Sequence, residues 1–514
     1  MPPPVWLEVL EDRTAPAIQF DSVFALNGPG FERVETVAND AAGNLYAAGW
    51  FQGTVDFDPG PGTANLTAVG LDDVFVAKYG PGGELVWARR MGGPGPDLAR
   101  AVAVDGSGNV YTTGTYAGPA DFDPDPGSTF NLTGLHGVFV SKLDAGGNFA
   151  WAAGVAESPF PNTNVPFDLE VDGSGNVYAG GVFGGTADFD PGPGTANLSS
   201  ALNGPDGFVV KLTAGGAFAD AFRLGADSPF LDRVIGLAVS PAGDLFVSGS
   251  FGGTVDFDPG AGTAPLTSAG DIDAFVARYD GSGALTWARR TGGAGPDEAA
   301  RVALDPQGNV ISVGTFDSTG VDFDPGGGSF TLSSALAEAF VWKLDGAGNF
   351  AWARKLGGAG KDVGTGLDTD PDGNVYVTGD FQLTADLDPA AGGAYDLTAQ
   401  GVDSYAVKMT GDSLLVWAFP TGGPGTDVHG GVTVDSAGTV TVAGHFEQTV
   451  DFDPGPGTDE RTASGPADGY FLRIAQPSFP FATGGNKDLS NGSGEPNRDQ
   501  ANAVAVDAAG NVYV

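Results

Sequence analysis

A four-residue motif recurs along this chain at nearly constant spacing. It is a glycine followed in most copies by Asn, a branched aliphatic residue and an aromatic, and neighbouring copies lie 65 to 72 residues apart. The copies begin at Gly43, Gly108, Gly175, Gly243, Gly308, Gly373, Gly438 and Gly510. So regular a period indicates one structural unit copied seven times, with an eighth begun. The array replaces the estimate of about three independent domains that length alone would suggest.

Each unit contains four strand-like runs separated by turn residues. In the second unit these are residues 101–104, 109–116, 138–143 and 148–152. The runs are short, β-branched and aromatic, and the Asp-Gly and Gly-Gly pairs between them suit tight hairpins. We find no stretch with a helical period and caps. The pattern predicts an all-β fold, a β-propeller of seven or eight four-stranded antiparallel blades with about 65 residues per repeat. A linear β-solenoid, the main alternative, usually has much shorter coils.

The two ends of the chain bear on how the propeller closes. Residues 18–26 have the pattern of a fourth strand, and residues 503–506 and 511–514 that of a first and a second strand. With seven full units between them this makes 31 predicted strands, one short of eight blades. Either the N-terminal strand completes a blade begun at the C-terminus, or the chain is a piece of a longer array. The predicted division is a tail at 1–17 and a propeller at 18–514.

Composition excludes several functions. There are 64 acidic and 23 basic side chains, a net charge of −41, and no Cys. Disulfides and thiol chemistry are therefore excluded, and a polyanion such as nucleic acid would meet a strongly negative field. No apolar run approaches the ~20 residues of a membrane span. A hydrophobic fraction of 41% argues against a disordered chain.

The most regular polar feature is Asp-Phe-Asp-Pro-Gly. Its alternation places both carboxylates on one face of a strand and Phe on the other. Such oxygen pairs suit Ca²⁺, although the third acidic position and distal Glu of an EF-hand are missing. The alternative is structural: Asp caps turns and pairs with Lys, while Phe packs between blades. The candidate metal ligands are Asp56, Asp58, Asp121, Asp123, Asp188, Asp190, Asp256, Asp258, Asp322, Asp324, Asp386, Asp388, Asp451 and Asp453.

Two further positions are nearly invariant among the units. A cation on the third strand is predicted to pair with these aspartates between blades: Lys78, Lys142, Lys211, Arg278, Lys343, Lys408 and Arg473. A Trp on the fourth strand is predicted to pack between blades, with a sugar-binding platform as the alternative: Trp87, Trp151, Trp287, Trp352 and Trp417. The third unit has Asp220 instead, so its blade is expected to be weak or to border a binding site. His136, His429 and His445 share no metal spacing and are expected at the surface.

The repeated order of these motifs resembles the SBBP family of bacterial β-propeller repeats. The resemblance covers residues 20–514 and is clear in residues 92–111 and 273–278. It implies a secreted or surface-exposed repeat protein and no catalytic activity. Residues 7–16 resemble the Leu-Glu-x-Leu-Glu-x-Arg signature that opens many planctomycete exported proteins. The chain is therefore expected to be extracellular or at the cell surface, although it shows no ordinary signal peptide.

Two classes of function fit these observations. The first is a non-enzymatic, monomeric binding or scaffold module for protein or polysaccharide, stabilised by Ca²⁺ if the aspartates bind it. The second is a propeller enzyme, a polysaccharide lyase or glycosidase, which would need paired carboxylates on one face. An enzyme usually breaks its repeat symmetry to build one site. The positions that break it are Asp220, residues 157–166 and residues 487–499.

Overall fold

The computed structural model describes residues 19–158, 163–200, 204–226, 230–390, 393–475, 505–506 and 512–513. The predicted metal ligands all lie within these ranges, whereas residues 7–16 and 487–499 lie outside them. Within the described ranges every regular element is a β-strand, and no helix is long and apolar enough to span a bilayer. The main strands form antiparallel four-stranded blades, in sequence order except in the last blade, which confirms the predicted all-β architecture.

The sheets are named blades 1 to 7, and their strands are given in sheet order. Blade 1 comprises Glu32–Asn39, Leu45–Phe51, Asp73–Tyr79 and Leu85–Met91. Blade 2 comprises Leu98–Val104, Val110–Ala117, His136–Leu143 and Phe149–Ser158. Blade 3 comprises Val165–Val171, Val177–Phe183, Asp206–Leu212 and Phe218–Leu224. Blade 4 comprises Arg233–Val239, Leu245–Asp256, Pro265–Tyr279 and Leu285–Thr291.

The remaining blades follow the same plan. Blade 5 comprises Asp297–Leu304, Val310–Phe316, Glu338–Leu344 and Phe350–Gly358. Blade 6 comprises Val363–Thr369, Val375–Asp386, Asp396–Met409 and Leu415–Thr421. Blade 7 comprises Val428–Val434, Val440–Phe446, Asp468–Ala475 and, as its fourth strand, Gln19–Leu26.

A short hairpin between the second and third strands carries the Asp-Phe-Asp motif. In blades 4 and 6 it continues the long second and third strands. Elsewhere the hairpins are Thr54–Asp56 with Asn65–Thr67, Ala120–Asp121 with Asn131–Leu132, Thr186–Asp188 with Asn197–Ser199, Val321–Asp322 with Thr331–Leu332, and Thr449–Asp451 with Glu460–Thr462.

The N-terminal strand closes the ring. The first strands of neighbouring blades contact one another in sequence, and Val428–Val434 of blade 7 contacts Glu32–Asn39 of blade 1. Gln19–Leu26 pairs antiparallel with the third strand of blade 7, placing Leu26 opposite Gly469. Blade 7 thus combines three strands from the last unit with one strand from the N-terminal segment. Backbone pairing between Gln19–Leu26 and Asp468–Ala475 closes the ring.

This closure makes the number of blades seven. Blade 7 takes three strands from the seventh unit and its fourth strand from the N-terminal segment, whereas the predicted fourth strand of the seventh unit lies outside the described residues. Ala505–Val506 and Val512–Tyr513 pair with each other as a hairpin. The N-terminal strand therefore does not complete a blade begun by these two segments, because its partner is Asp468–Ala475.

Hydrophobic clusters lie between neighbouring blades. One unites Phe51, Phe57 and Phe75 of blade 1 with Leu26 and Phe471 of blade 7. The hydrophobic residue at the centre of the Asp-Phe-Asp motif is buried in every blade. These residues are Phe57, Phe122, Phe189, Phe257, Phe323, Leu387 and Phe452. The prediction that this side chain packs between blades is confirmed.

Candidate functional site

The paired aspartates of the hairpins fasten their own loops. In blade 1, Asp56 Oδ1 accepts hydrogen bonds from the backbone N–H groups of Asp58 (3.1 Å) and Ala64 (2.7 Å). Asp58 Oδ1 accepts one from the N–H of Gly60 at 2.8 Å. The same pattern recurs in the other six blades. Short side-chain carboxylates often stabilise turns in this way.

These hairpins also join one blade to the next. The first Asp of a hairpin forms a backbone bridge with the end of the preceding blade's fourth strand, as Asp121 does with Gly92 and Asp188 with Glu157. Among the described residues, no three His, Asp or Glu side chains cluster closely enough to hold a metal ion. The capping bonds support the structural interpretation of the aspartates, and Ca²⁺ binding by them stays a prediction.

The cations of the third strands lie beside a different aspartate. Lys343 Nζ is 2.9 Å from Asp305, and Lys78 Nζ is 3.8 Å from Asp40. These acids belong to the turn between the first and second strands. The expected pairing with the Asp-Phe-Asp carboxylates is therefore wrong. The register explains the difference, because Lys78 lies opposite Tyr46, whose hydroxyl donates to Asp40 at 3.0 Å.

The turn aspartates are held by a dense hydrogen-bond network. Asp40 accepts from the backbone N–H of Ala42, from the backbone and side chain of Asn44, and from Tyr46. Burial by itself would raise the pKa of Asp40, but these hydrogen bonds outweigh it and lower that pKa. The recurring Gly-Asn-Val-Tyr tetrapeptide thus serves this turn, whose Gly43 has a φ of 79°.

The fourth-strand Trp side chains bridge neighbouring blades, as predicted. Trp417 packs in the cluster between blades 6 and 7, and in the other four residues the indole N–H donates to a carbonyl in the next blade's turn between its third and fourth strands. The four bonds are Trp87 to Ala145 (3.2 Å), Trp151 to Ala214 (3.1 Å), Trp287 to Gly346 (3.2 Å) and Trp352 to Gly411 (3.0 Å). The ring also covers the turn glycine, since a Cβ added at Gly147 would lie 2.8 Å from Trp87.

The interface between blades 3 and 4 breaks this pattern. Asp220 occupies the Trp position, and a cavity of about 260 Å³ lies beside it. Blade 3 contributes Tyr178, Val209, Lys211, Ala219, Asp220 and Phe222, and blade 4 contributes Leu245, Tyr279 and residues 280–283. Tyr178 and Tyr279 form a buried floor, whereas Asp220 and Gly281 are exposed at the rim. A cavity thus lies at the blade that the sequence predicts to be weak or to border a binding site, and ligand binding there stays a prediction.

A larger depression of about 900 Å³ lies between blades 1 and 2. It is lined by Arg89, Arg90 and the hairpin loop around Asp123. The equivalent residues Arg289, Arg290 and Asp324 recur at the interface of blades 4 and 5. It therefore belongs to the repeat and does not single out one site.

A group of charged side chains on the inner strands was missed by sequence reasoning. Asp168 and Glu170 of blade 3 stand where blade 2 has Ala101 and Ala103. Burial, followed by the charge of Asp168 and then a smaller effect of Asp368, raises the pKa of Glu170 to about 8. Because Asp368 belongs to blade 6, which is not adjacent to blade 3, these groups face the central axis. Aligning the first strands of the units would have revealed them.

Asp168 has a structural partner at the axis. Its Oδ2 accepts a hydrogen bond from the backbone N–H of Leu237 in blade 4 at 2.8 Å. Asp368 of blade 6, at the position equivalent to Glu170, accepts a hydrogen bond from the backbone N–H of Val434 of blade 7 at 2.8 Å. Asp168 and Asp368 therefore each bind a backbone donor of the neighbouring blade.

Sequence reasoning also missed the structural role of the acidic residue that stands at or just before the start of most first strands. Asp97 is fully buried and accepts from the N–H groups of Gly93 (2.6 Å) and Ala117 (3.1 Å). Desolvation raises its pKa to about 7 in spite of these bonds. In blade 1 this position is Glu32, whose pKa is raised to about 8 by burial and then by Asp468. This acid could have been recognised from the sequence by its fixed place at the end of the Gly-Gly-x-Gly-x-Asp motif.

The expectation that all histidines are surface residues is wrong. His429 is 1% exposed, its Nδ1 lies 2.9 Å from the carbonyl oxygen of Tyr405, and burial lowers its pKa to about 3. His445 is half-buried, and burial followed by Arg33 lowers its pKa to about 4. Both lie in blade 7, where His429 replaces non-ionisable residues of the other units and His445 takes the position that Asp380 has in blade 6. The neutral forms of these rings therefore serve packing.

Comparison with known proteins identifies the repeat. The family model of the SBBP β-propeller repeat matches residues 86–115 and 351–380. Each matched segment runs from the fourth strand of one blade into the second strand of the next. The protein is thus a β-propeller that carries SBBP repeats, as the motif order predicted.

Two curated relatives are more distant. The chain is 23% identical over 496 residues to an uncharacterized WD repeat-containing protein of Acanthamoeba polyphaga mimivirus, covering 80% of this chain and 35% of that protein. It is 25% identical over 500 residues to the regulatory protein FlaEY of Caulobacter vibrioides, covering 89% of this chain and 48% of that protein. The chain therefore spans about a third of the length of the first relative and about half of the length of the second.

Two solved structures from Bacteroides show weak likeness. One is a protein of unknown function from Bacteroides caccae, with a TM-score of 0.30, 10% identity and coverage of 67% of this chain and 89% of that one. The other is a member of the duf4221 family from Bacteroides vulgatus, with a TM-score of 0.32, 9% identity and coverage of 73% and 92%. The blade count rests on strand pairing within this chain and not on these likenesses.

Proposed function

We propose that this protein is a non-enzymatic binding and scaffold module of the cell surface or extracellular space, with a protein or a polysaccharide as its partner. The observation that carries the proposal is the cavity of about 260 Å³ at the single interface where Asp220 replaces the bridging Trp. Most carboxylates that an enzyme would need follow the repeat and cap turns or bind backbone N–H groups. A net charge of −41 favours neutral or cationic partners.

The experiment is a binding screen with the full chain. Soluble polysaccharides and purified surface proteins would be tested against the wild type and Asp220→Trp, which fills the cavity. Asp271→Trp is the matched control, because it adds the same ring at an exposed position outside the cavity. We expect binding that Asp220→Trp weakens and Asp271→Trp leaves unchanged. Turnover of a bound polysaccharide by the wild type would overturn the non-enzymatic assignment.

The location is tested separately. Fractionation of the native organism with an antibody against the propeller should place the protein in the medium or on the outer surface of the cell. Recovery in the cytosol alone would refute that part of the proposal. The secreted or surface-exposed role that the family resemblance implies supports an exposed location.

One observation favours the second candidate, an enzyme acting on polysaccharide. Glu170, with its pKa raised to about 8 by burial, is protonated at neutral pH beside Asp168 at the axis. A carboxyl group whose pKa is raised by burial is what general acid catalysis of glycoside cleavage uses. If a polysaccharide is cleaved, Glu170→Gln should abolish turnover, while Glu35→Gln, on the first strand of blade 1, should not.

A further inference from the structure

The cavity between blades 3 and 4 is an interface that lacks its usual ring. In four other interfaces an indole fills the equivalent space, as Trp87, Trp151, Trp287 and Trp352 do. In three of them the indole lies over a turn glycine, and in all four its N–H donates to the carbonyl of the second residue of that turn. The space at Asp220 is bounded by the same two elements, the fourth strand of one blade and the turn of the next.

The turn that faces this cavity has the same conformation as its counterparts. Gly283 has a φ of 85°, compared with 74° for Gly147 and 82° for Gly216. Its N–H donates to the carbonyl of Asp280 at 2.8 Å, as the N–H of Gly147 does to Asp144. The carbonyl of Gly281 therefore stands where those of Ala145 and Ala214 accept an indole N–H.

No described side chain donates to the carbonyl of Gly281. At the interface between blades 7 and 1, Ser22 occupies the Trp position. There the guanidinium of Arg473 donates to the carbonyl of Pro81, the second residue of the blade 1 turn, at 2.6 Å. Lys211 does not act in this way, because its ammonium lies over the Tyr178 ring, 4.8 Å from the centroid. The blade 3–4 interface thus keeps both an open acceptor and the space for a ring.

We propose that this cavity is a binding site for an indole ring, supplied by a tryptophan side chain of a partner or by a small indole compound. The proposal rests on the binding role proposed above and specifies its ligand. The ring would occupy the space beside Tyr178, Phe222 and Tyr279, and its N–H would donate to Gly281. A buried cavity of about 150 Å³ suffices for benzene in another protein, so about 260 Å³ accommodates an indole.

The test is calorimetric titration of the full chain with indole and with 1-methylindole, which has the ring without the N–H donor. We expect indole to bind with one site per chain and 1-methylindole to bind about fivefold more weakly, the effect of one hydrogen bond. Asp220→Trp should lose the site, and Asp271→Trp should keep it. Trp151→Asp reproduces the natural vacancy between blades 2 and 3 and should add a second site.

The source of the ring is distinguished by a further titration. The tripeptide acetyl-Gly-Trp-Gly-amide should compete with indole if a protein side chain enters the cavity. Binding of indole but not of this peptide would indicate a small compound. Either result supports a site for an indole ring.

Three results would overturn the proposal. They are no binding of indole to the wild type, binding of indole to Asp220→Trp with the affinity of the wild type, and equal affinity of the wild type for indole and 1-methylindole. The last would show that Gly281 is not the acceptor. These failures leave the binding and scaffold role standing, because that role is tested with macromolecules. Catalytic turnover would overturn that role and would not alter the indole titration.

Discussion

The substitution Leu26→Ala tests how the propeller closes. Leu26 is fully buried on the N-terminal strand and packs with Val34 and Phe471 between blades 7 and 1. The strand has a partner on one side only, the third strand of blade 7. Weakening its packing should therefore open the ring at this seam before other blades unfold.

The magnitude follows from the carbon atoms removed. Leu to Ala deletes three carbons, and about 0.8 kcal/mol for each gives about 2.4 kcal/mol. The cavity that remains adds to this, so we expect a loss of about 3 kcal/mol. If strand release is the limiting event, its population rises about a hundredfold, since each 1.4 kcal/mol is a factor of ten.

Limited proteolysis with chymotrypsin measures that population, because Phe20 and Phe24 lie on the strand. The matched control is Leu224→Ala, since Leu224 faces Gly207 of blade 3 as Leu26 faces Gly469. Both variants should lower the urea midpoint, but only Leu26→Ala should accelerate cleavage at Phe20 and Phe24. Cleavage of Leu26→Ala at the wild-type rate would refute closure by this strand.

Three further predictions concern the turns, the buried acids and the metal. Gly175→Val should lower the melting temperature, because Gly175 has a φ of 79° and a new Cβ would lie 3.2 Å from that of Ala214; the cost is about 1–2 kcal/mol. Glu32→Gln should reduce the loss of unfolding free energy between pH 5 and 9, by about 2 kcal/mol. Burial raises the pKa of Glu32 in the folded protein to about 8, above the ordinary value of a Glu carboxyl, so the stabilising contribution of its protonated form is present at low pH and is lost as pH rises through 8. If the Asp-Phe-Asp pairs bind Ca²⁺, millimolar Ca²⁺ should raise the melting temperature above that in EDTA, because one site with a Kd of ~0.1 mM at ~2 mM Ca²⁺ adds about 1.8 kcal/mol to the unfolding free energy.

Each of these has its own control. Gly173→Val lies in the same turn without a positive φ, and nothing lies within 4 Å of its Cβ position, so it should cost little; equal losses at both glycines would contradict the conformational argument. A parallel pH profile for Glu32→Gln and wild type would show that the carboxyl ionises alike in both states. An equal rise with Mg²⁺ or added NaCl would leave the aspartates as turn caps alone.

Local features of the repeat could be predicted from sequence because they depend on neighbouring residues. The strands of blade 2 lie within a few residues of their predicted bounds, and the Trp of the fourth strand packs between blades as expected. Turn glycines such as Gly175 and Gly283 have the positive φ that a tight hairpin requires. Asp220 could be recognised as a break because comparison of the units required no coordinates.

Contacts between distant positions could not be predicted. The partner of Lys78 depends on which residue lies opposite it, and the register places Tyr46 and Asp40 there and not the Asp-Phe-Asp pair. His429 was assigned to the surface because its spacing shows no metal motif, but spacing does not report burial. The charge of Asp368 acts on Glu170 across the axis although the two residues are far apart in the chain.

The sequence by itself determined that this chain builds four-stranded blades, since a period near 65 residues and alternating short strands leave few other ways to bury both faces of each sheet. It also determined which interface is incomplete, because a repeat exposes its own exceptions. Only the tertiary structure decided that there are seven blades, that Gln19–Leu26 closes the last one, and that Asp220 leaves a cavity. Ring closure and cavity volume depend on the angles and distances summed over all blades, which a local pattern does not contain.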